Sequence, residues 1–270
     1  MADIARTDPC MTAFWVLGSV ILVITVLSLI AITVPEILDL PHLLSVATET
    51  GVIGAILLTL FAALCAVIFL AIFCTPLSYM LARSTSRWKG VVETLVDIPL
   101  VLPHTVAGLL VYLLFMSRGP IGAPLAHAGI FFEDAFLGIV VAMIFVSSPY
   151  YINAVREGFE KVPVHLENVA RTLGATQFRA FRLIALPLAA RHIISGAFLA
   201  WGRAVGEFAA VVMIAYFPMV VSTLIYHRFT TGGLAESRSI AFIMIVICIA
   251  VFIIFRWMTK KAGGYDHDRA

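Results

Sequence analysis

Two charges of opposite sign stand four residues apart in an otherwise uncharged run: Arg203 and Glu207, within residues 192–217. On a helix that spacing puts both on one face. Charge at membrane depth is costly and faces a bundle interior or a wetted cavity. Such a pair serves one of two ends. It locks its helix against a neighbour, or it lines a path in which Arg203 offers a favourable field to a dianion; the lock is the commoner use. A second constellation is Pro99, Pro103, His104 and Thr105. Two prolines break the backbone ladder of one apolar run, and freed carbonyls, His104 and Thr105 could line a cavity. A packing kink is the simpler reading, with His104 as a hydrogen-bonded packing residue. Gly108 suits close contact between helices.

Little else in the chain suits covalent chemistry. Glu207 is the one carboxylate deep in an apolar run, which fits a membrane-embedded enzyme poorly. The four cysteines, Cys10, Cys65, Cys74 and Cys248, form no CxxC pair, and three lie in apolar runs, where they read as small hydrophobes. The seven histidines are scattered without an HExxH, so no metal is expected. There is no GxxxxGK[ST], so the chain is not expected to cradle ATP phosphates. A net charge of +2 makes no case for nucleic acid.

The elements that must position these residues are apolar. Of 270 residues, 61% are hydrophobic and 13% charged, against about 25% charged in an average soluble domain. Mean hydropathy is +1.04. Such a chain is an integral protein of the lipid bilayer. A spanning helix needs about 20 apolar residues. Six runs qualify, at about 13–34, 50–82, 98–117, 135–155, 192–217 and 239–258. The first is too long for a signal-peptide core and follows Asp3 and Asp8, so it reads as a retained span. Pro149 is a kink in the fourth. The expectation is an all-α, polytopic membrane protein with six transmembrane helices, residues 1–270 forming one transmembrane domain. No internal repeat is visible, which counts against secondary-transporter folds built from inverted halves.

Lys and Arg positions orient the spans. With the N-terminus in the cytoplasm, the inside segments hold fourteen, from Arg6 to Arg269, and the outside loops hold three, Arg118, Arg228 and Arg238. Both termini are therefore expected on the cytoplasmic side of the cell membrane. Arg83, Arg87 and Lys89 read as positive-inside anchors, and Arg256 as a snorkelling end residue. Residues 118–134 carry three glycines and two prolines and read as an ordinary connecting loop.

One inside segment, at about 157–190, is amphipathic. Pro163 suits a first helical turn. Val162, Leu166, Val169, Ala170 and Leu173 fall on one helical face, with Glu167, Asn168, Arg171 and Thr172 on the others. Gly174 fits a helix C-terminus. Phe178 then pairs with Phe181 and Arg179 with Arg182, before Ile184, Leu186 and Pro187 lead back into the membrane. The segment either lies on the lipid surface or docks a partner. Its small-residue centre, Ala170 to Gly174, favours docking, because a shallow surface lets another backbone approach.

These residues carry a resemblance. "NVARTLG", nine residues, then "IALP" resembles the cytoplasmic-loop signature of ABC importer permeases: Glu-Ala-Ala, three residues, Gly, nine residues, Ile-x-Leu-Pro. Asn168 stands where the acidic residue usually does, Val169 replaces the first alanine, and Glu167 sits one position early. "DIPLVLPHTVAG" (97–108) and "WGRAVGEF" (201–208) are similar to the third- and fifth-span motifs of molybdate, tungstate and sulfate permeases. With "TLIYHRFTTGGL" (223–234) the chain is most similar to the archaeal-type molybdate/tungstate group, although His104 departs from the Pro-Pro form of bacterial relatives. The resemblance covers residues from about 50 to 258.

It implies a type I ABC importer permease fold. It places Glu167, Asn168, Ala170, Arg171, Leu173, Gly174, Ile184, Leu186 and Pro187 in a coupling loop held in a groove of an ATPase subunit. It implies a non-catalytic homodimer joined by two ATP-binding cassette subunits, which carry ATP and Mg²⁺, so that this chain binds no cofactor. An extracytoplasmic oxyanion-binding protein would deliver molybdate or tungstate. The alternatives are a sulfate or other oxyanion permease, and an ion-coupled secondary transporter in which Glu207 titrates.

Overall fold

The computed structural model describes residues 9–263. Arg6 and Arg269 of the charge tally, with Asp3 and Asp8, lie outside the described residues. The described residues are helical, with no strand among them. The order is α1 (Pro9–Leu38), α2 (Leu40–Ala47), α3 (Thr50–Arg83), α4 (Lys89–Val101), α5 (His104–Phe115), α6 (Gly122–His127), α7 (Phe136–Lys161), α8 (Val164–Thr172) and α9 (Gln177–Ala180). A short π-helical segment (Phe181–Ala185) leads into α10 (Leu186–Val205), followed by α11 (Ala209–Ile214), α12 (Val221–Gly232) and α13 (Leu234–Gly263).

Among the described residues five helices are long and apolar enough to cross a membrane, and the bent pair of α4 and α5 makes six if it is counted as one span. The apolar window of α7 is 56% buried and that of α1 is 0% buried, so α7 is the central post and α1 the outermost helix. α7 packs along α3 and α10. The seam is made of small residues: Ala62, Ala63 and Ala66 on α3, Ala142 on α7, and Ala204 on α10 are all fully buried. Helices immersed in lipid gain nothing from hiding apolar surface from one another, so close van der Waals approach must hold them, and small side chains permit it. Gly108 shows the limit: a Cβ there would lie 2.7 Å from the Cα of Ala210, so α5 and α11 meet backbone to backbone. Buried hydroxyls are satisfied across the same seam, with Thr75 and Tyr151 joined at 2.7 Å between α3 and α7.

The third expected span, 98–117, is corrected. The run starts earlier, at Lys89, and breaks at Leu102–Pro103, where α4 and α5 meet at 114°. Leu102 is extended (φ −70°, ψ 139°), the conformation a following proline imposes. Pro103 is extended as well and caps α5. The fifth expected span, 192–217, is corrected too. Its helix runs from Gln177 to Val205 without a break between the amphipathic segment and the membrane. It stops at Gly206, and α11 is a separate short helix beyond. Residues 118–134 are not a plain loop: they hold α6.

The end of the molecule where α7 begins is tied by charge. Glu36 is buried and bonded to Arg238 at 2.5 Å and to Ser239 at 2.7 Å. Arg228 bridges Glu49 and Glu236. Glu133 accepts the hydroxyl of Ser117, its backbone N–H at 2.9 Å and the Tyr112 hydroxyl at 3.3 Å. The Ser117 hydroxyl, then the Ser117 N–H, hold the Glu133 carboxyl below its usual range. Asp134 accepts the N–H groups of Tyr216 (2.9 Å) and Phe217 (3.3 Å), fastening the α11–α12 loop to the start of α7.

Candidate functional site

The opposite end, where α7 finishes, carries the amphipathic segment. Val162 ends α7 in extended backbone, and Pro163 caps α8. α8 then stops in a Schellman turn. The N–H of Gly174 donates to the Arg171 carbonyl and that of Ala175 to the Ala170 carbonyl, both at 3.0 Å. The turn needs a left-handed residue, and Gly174 has φ +93°. The Thr176 hydroxyl caps α9 by accepting the Arg179 N–H. Pro187 explains the π-helical segment. A proline within a helix removes a donor and crowds the carbonyl four residues back, and a widened turn relieves both. The N–H of Leu186 accordingly reaches Phe181, five residues back.

The predicted apolar face of α8 splits in two. Val162 is buried and Leu166 and Ala170 are half-buried, while Val169 is 54% and Leu173 83% exposed. Asn168 and Arg171 are exposed. The outward surface of α8 is thus a small patch of mixed apolar and polar groups ending at Gly174. Ile184 and Leu186 are half-buried and Pro187 is exposed, on the stretch that carries the loop into α10.

Glu167 departs from its expected place on the polar faces. It is buried, and its carboxylate is held on both oxygens. The Tyr79 hydroxyl donates to Oε2 at 2.6 Å, while Arg83 donates to Oε1 from Nη2 (2.6 Å) and Nε (3.0 Å). Arg83 also donates to the carbonyls of Phe159 (2.9 Å) and Val162 (3.0 Å). Reading Arg83 as a simple charge anchor is therefore corrected: it is an internal clamp. Lys89, another expected anchor, lies 3.6 Å from Glu160, and Arg156 pairs with Glu93. Asn153 on α7 donates to Asp97 on α4 at 2.7 Å.

The two broken helices meet around Arg203. Glu207 lies just past the end of α10, yet the predicted pair forms, with Nη2 of Arg203 2.6 Å from Oε2. The other oxygen of Glu207 accepts the Ala210 N–H in the first turn of α11 at 2.7 Å, and Ser222 donates to the Glu207 carbonyl at 2.8 Å. Glu207 is 1% exposed. The same Arg203 nitrogen lies 3.1 Å from Nε2 and 3.2 Å from Nδ1 of His104, the first residue of α5. Pro103, His104 and Thr105 are exposed beside it. The structure thus brings Arg203, Glu207 and His104 into one cluster, with Pro103 and Thr105 at its edge.

A transport-protein family model, described as the binding-protein-dependent transport system inner membrane component, matches residues 74–263. The chain belongs to this family. A permease protein of the molybdate/tungstate transport system from Pyrococcus furiosus is 38% identical over 95% of this chain and 98% of that protein. A permease protein of the same description from Thermococcus kodakarensis is 37% identical over 96% and 100%. In fold, the chain matches the crystal structure of a bacterial alginate ABC transporter in complex with its pentasaccharide-bound periplasmic protein. The TM-score is 0.69 at 18% identity, covering 94% of this chain and 97% of that one. The chain thus has the fold of an ABC importer membrane subunit.

For this permease-family chain, sequence reasoning missed Tyr79 and the grip that Tyr79 and Arg83 take on Glu167. Tyr79 and Arg83 stand four apart at the end of a long apolar run, facing an acidic residue at the start of the amphipathic segment. The i, i+4 spacing marks Tyr79 and Arg83 as one face of α3, but not which acid they meet.

Proposed function

We propose that this chain forms the membrane pathway of an ATP-driven importer of molybdate and tungstate. The observation that carries the reading is α8. It is a short helix with an exposed face, Val169 and Leu173, stopped by Gly174 and followed by α9, which runs on through the π-helical segment into a long apolar helix. Such a face suits the docking of a motor subunit. The relatives' molybdate/tungstate description supplies the substrate.

In this reading the termini and α8 face the cytoplasm, and the end bearing Glu133 and Asp134 meets an extracytoplasmic oxyanion-binding protein. The chain works as a homodimer with its pathway along the dimer axis. Two ATP-binding cassette subunits hold Asn168, Ala170, Arg171, Leu173 and Gly174, and carry ATP, Mg²⁺ and all catalysis; this chain holds no cofactor. ATP binding draws the two loops together and turns the spans from inward-facing to outward-facing, and hydrolysis resets them. Arg203 and Glu207 act as a fastening between broken helices. The guanidinium is already neutralised by a carboxylate 2.6 Å away, which leaves little field for a passing dianion. Exposed Pro103, His104 and Thr105 border the path.

The test is ATP hydrolysis by this chain reconstituted with its ATPase and its loaded binding protein, across molybdate, tungstate, sulfate and phosphate. Stimulation by molybdate and tungstate alone is expected. Stimulation by sulfate would keep the ATP-driven reading and overturn the substrate. Uptake that follows a proton or sodium gradient without any ATPase would overturn both.

A further inference from the structure

Sequence places Glu167 within the docking surface, and the structure turns it the other way. One guanidinium, that of Arg83, reaches three elements at once. It sits in the last turn of α3, takes both the Phe159 and Val162 carbonyls at the end of α7, and grips Glu167 in the first turn of α8. Tyr79, one turn earlier on α3, takes the second carboxylate oxygen. Its ring is packed edge-on against Phe159 at 5.3 Å and tilted against Phe181 at 4.7 Å. The side chains of Arg83 and Glu167 are 15% and 8% exposed, so water screens this pair weakly.

The charges suit the backbone they meet. The last carbonyls of a helix form the negative end of its dipole, which Arg83 meets at α7. The first turn of a helix is the positive end, which Glu167 occupies at α8. Apart from this clamp, α8 packs mainly on α9 and the π-helical segment, its own loop. A force on the exposed side of α8 would then bend the loop. With the clamp closed, the force must pass into the ends of α3 and α7, the two helices that pack along the core.

We propose that Tyr79, Arg83 and Glu167 form a rigid coupling that holds α8 against the spans and carries its displacement into α3 and α7. Arg83 is the positioning residue at its centre. Apolar contacts are non-directional and let surfaces slide; a forked, charge-assisted pair has one geometry and moves as a unit. The coupling rests on the proposed docking of an ATPase at α8, and two readouts keep the two ideas apart.

The first readout needs no partner. Amide hydrogen exchange is followed across residues 164–173 in the purified full chain. Arg83→Gln and Glu167→Gln should each speed exchange in α8 by about ten-fold, with the middle of α3 and α7 unchanged. Unchanged protection in α8 would overturn the clamp, whatever the chain transports. The second readout is oxyanion imported per ATP hydrolysed, in the complete reconstituted complex. Arg83→Gln should lower that ratio by about ten-fold. Tyr79→Phe keeps the ring packing, loses one bond, and should give a smaller fall. A merely structural role lowers yield and rate together and leaves the ratio as it was, which would overturn the coupling. Should Arg83→Gln fail to fold, Tyr79→Phe decides by the same two measures. A wild-type complex that imports nothing sinks the proposed function, while the exchange result still judges the clamp.

Discussion

Arg203 and Glu207 show how one pair can be read two ways until its neighbours are known. Glu207 spends both oxygens inside the protein, one on Arg203 and one on the Ala210 N–H. Removing one partner of a buried pair leaves an uncompensated charge, at a cost of about 3–5 kcal/mol. Arg203→Gln and Glu207→Gln are therefore each expected to lower stability by about that amount, read as a fall in the thermal unfolding midpoint of the purified chain. A residue that served only a passing anion would behave otherwise: Arg203→Gln would cut transport and leave the unfolding midpoint in place. Gly174 illustrates the converse, a residue legible from sequence alone. A glycine after an amphipathic run announces a left-handed C-terminal turn, and φ is +93°. Glu167 and Arg83 were not legible as a pair, because 84 residues separate them and each alone looks like a surface charge.

Among the elements, the apolar runs announced themselves because a run of about 20 apolar residues crosses lipid as a helix, whose backbone bonds are all internal. Their breaks did not. Pro99 and Pro103 say that a ladder is interrupted, but the 114° turn between α4 and α5 depends on where α5 lies, and Gly108 fixes that by letting α5 settle on the backbone of α11. The end of α10 at Val205 is similar. Nothing in the run from 192 to 217 forbids a continuous helix; buried Glu207 on the first turn of α11 makes the break stable. The segment between α5 and α7 carries a pH dependence of its own. Its carboxyl, Glu133, is held below the ordinary value of 4.5. A depressed carboxyl contributes stability that is complete above the unfolded value and is lost as pH falls through the folded one. Amide exchange across residues 117–127 should accordingly be slow at neutral pH and quicken below about pH 4.5 beyond the intrinsic exchange trend. Glu133→Gln should show fast exchange at neutral pH and no such step. A step that persisted in Glu133→Gln would assign it to another group.

At the scale of the molecule, the arrangement is a central post, α7, with both ends made busy. One end is laced by Asp134, Glu133, Glu36 and Arg228. The other presents α8 outward while Arg83 and Tyr79 hold it from within. Between them lie small-residue seams that let helices pack closely, and an outer surface of large apolar side chains from α1, α3 and α13 that suits lipid. An importer driven from outside its own chain must carry a displacement from one end of such a body to the other, and the proposed clamp at Arg83 supplies the first link.

The most direct measurement is therefore the binding of the ATPase subunit to this chain, wild type against Leu173→Asp. Leu173 is 83% exposed, so the substitution spares the fold while placing a charge near the end of the proposed docking face. The account predicts that the wild type holds its ATPase through purification and that Leu173→Asp, equally folded, weakens the association about ten-fold or more. Equal association in both chains, or none with the wild type, would contradict it.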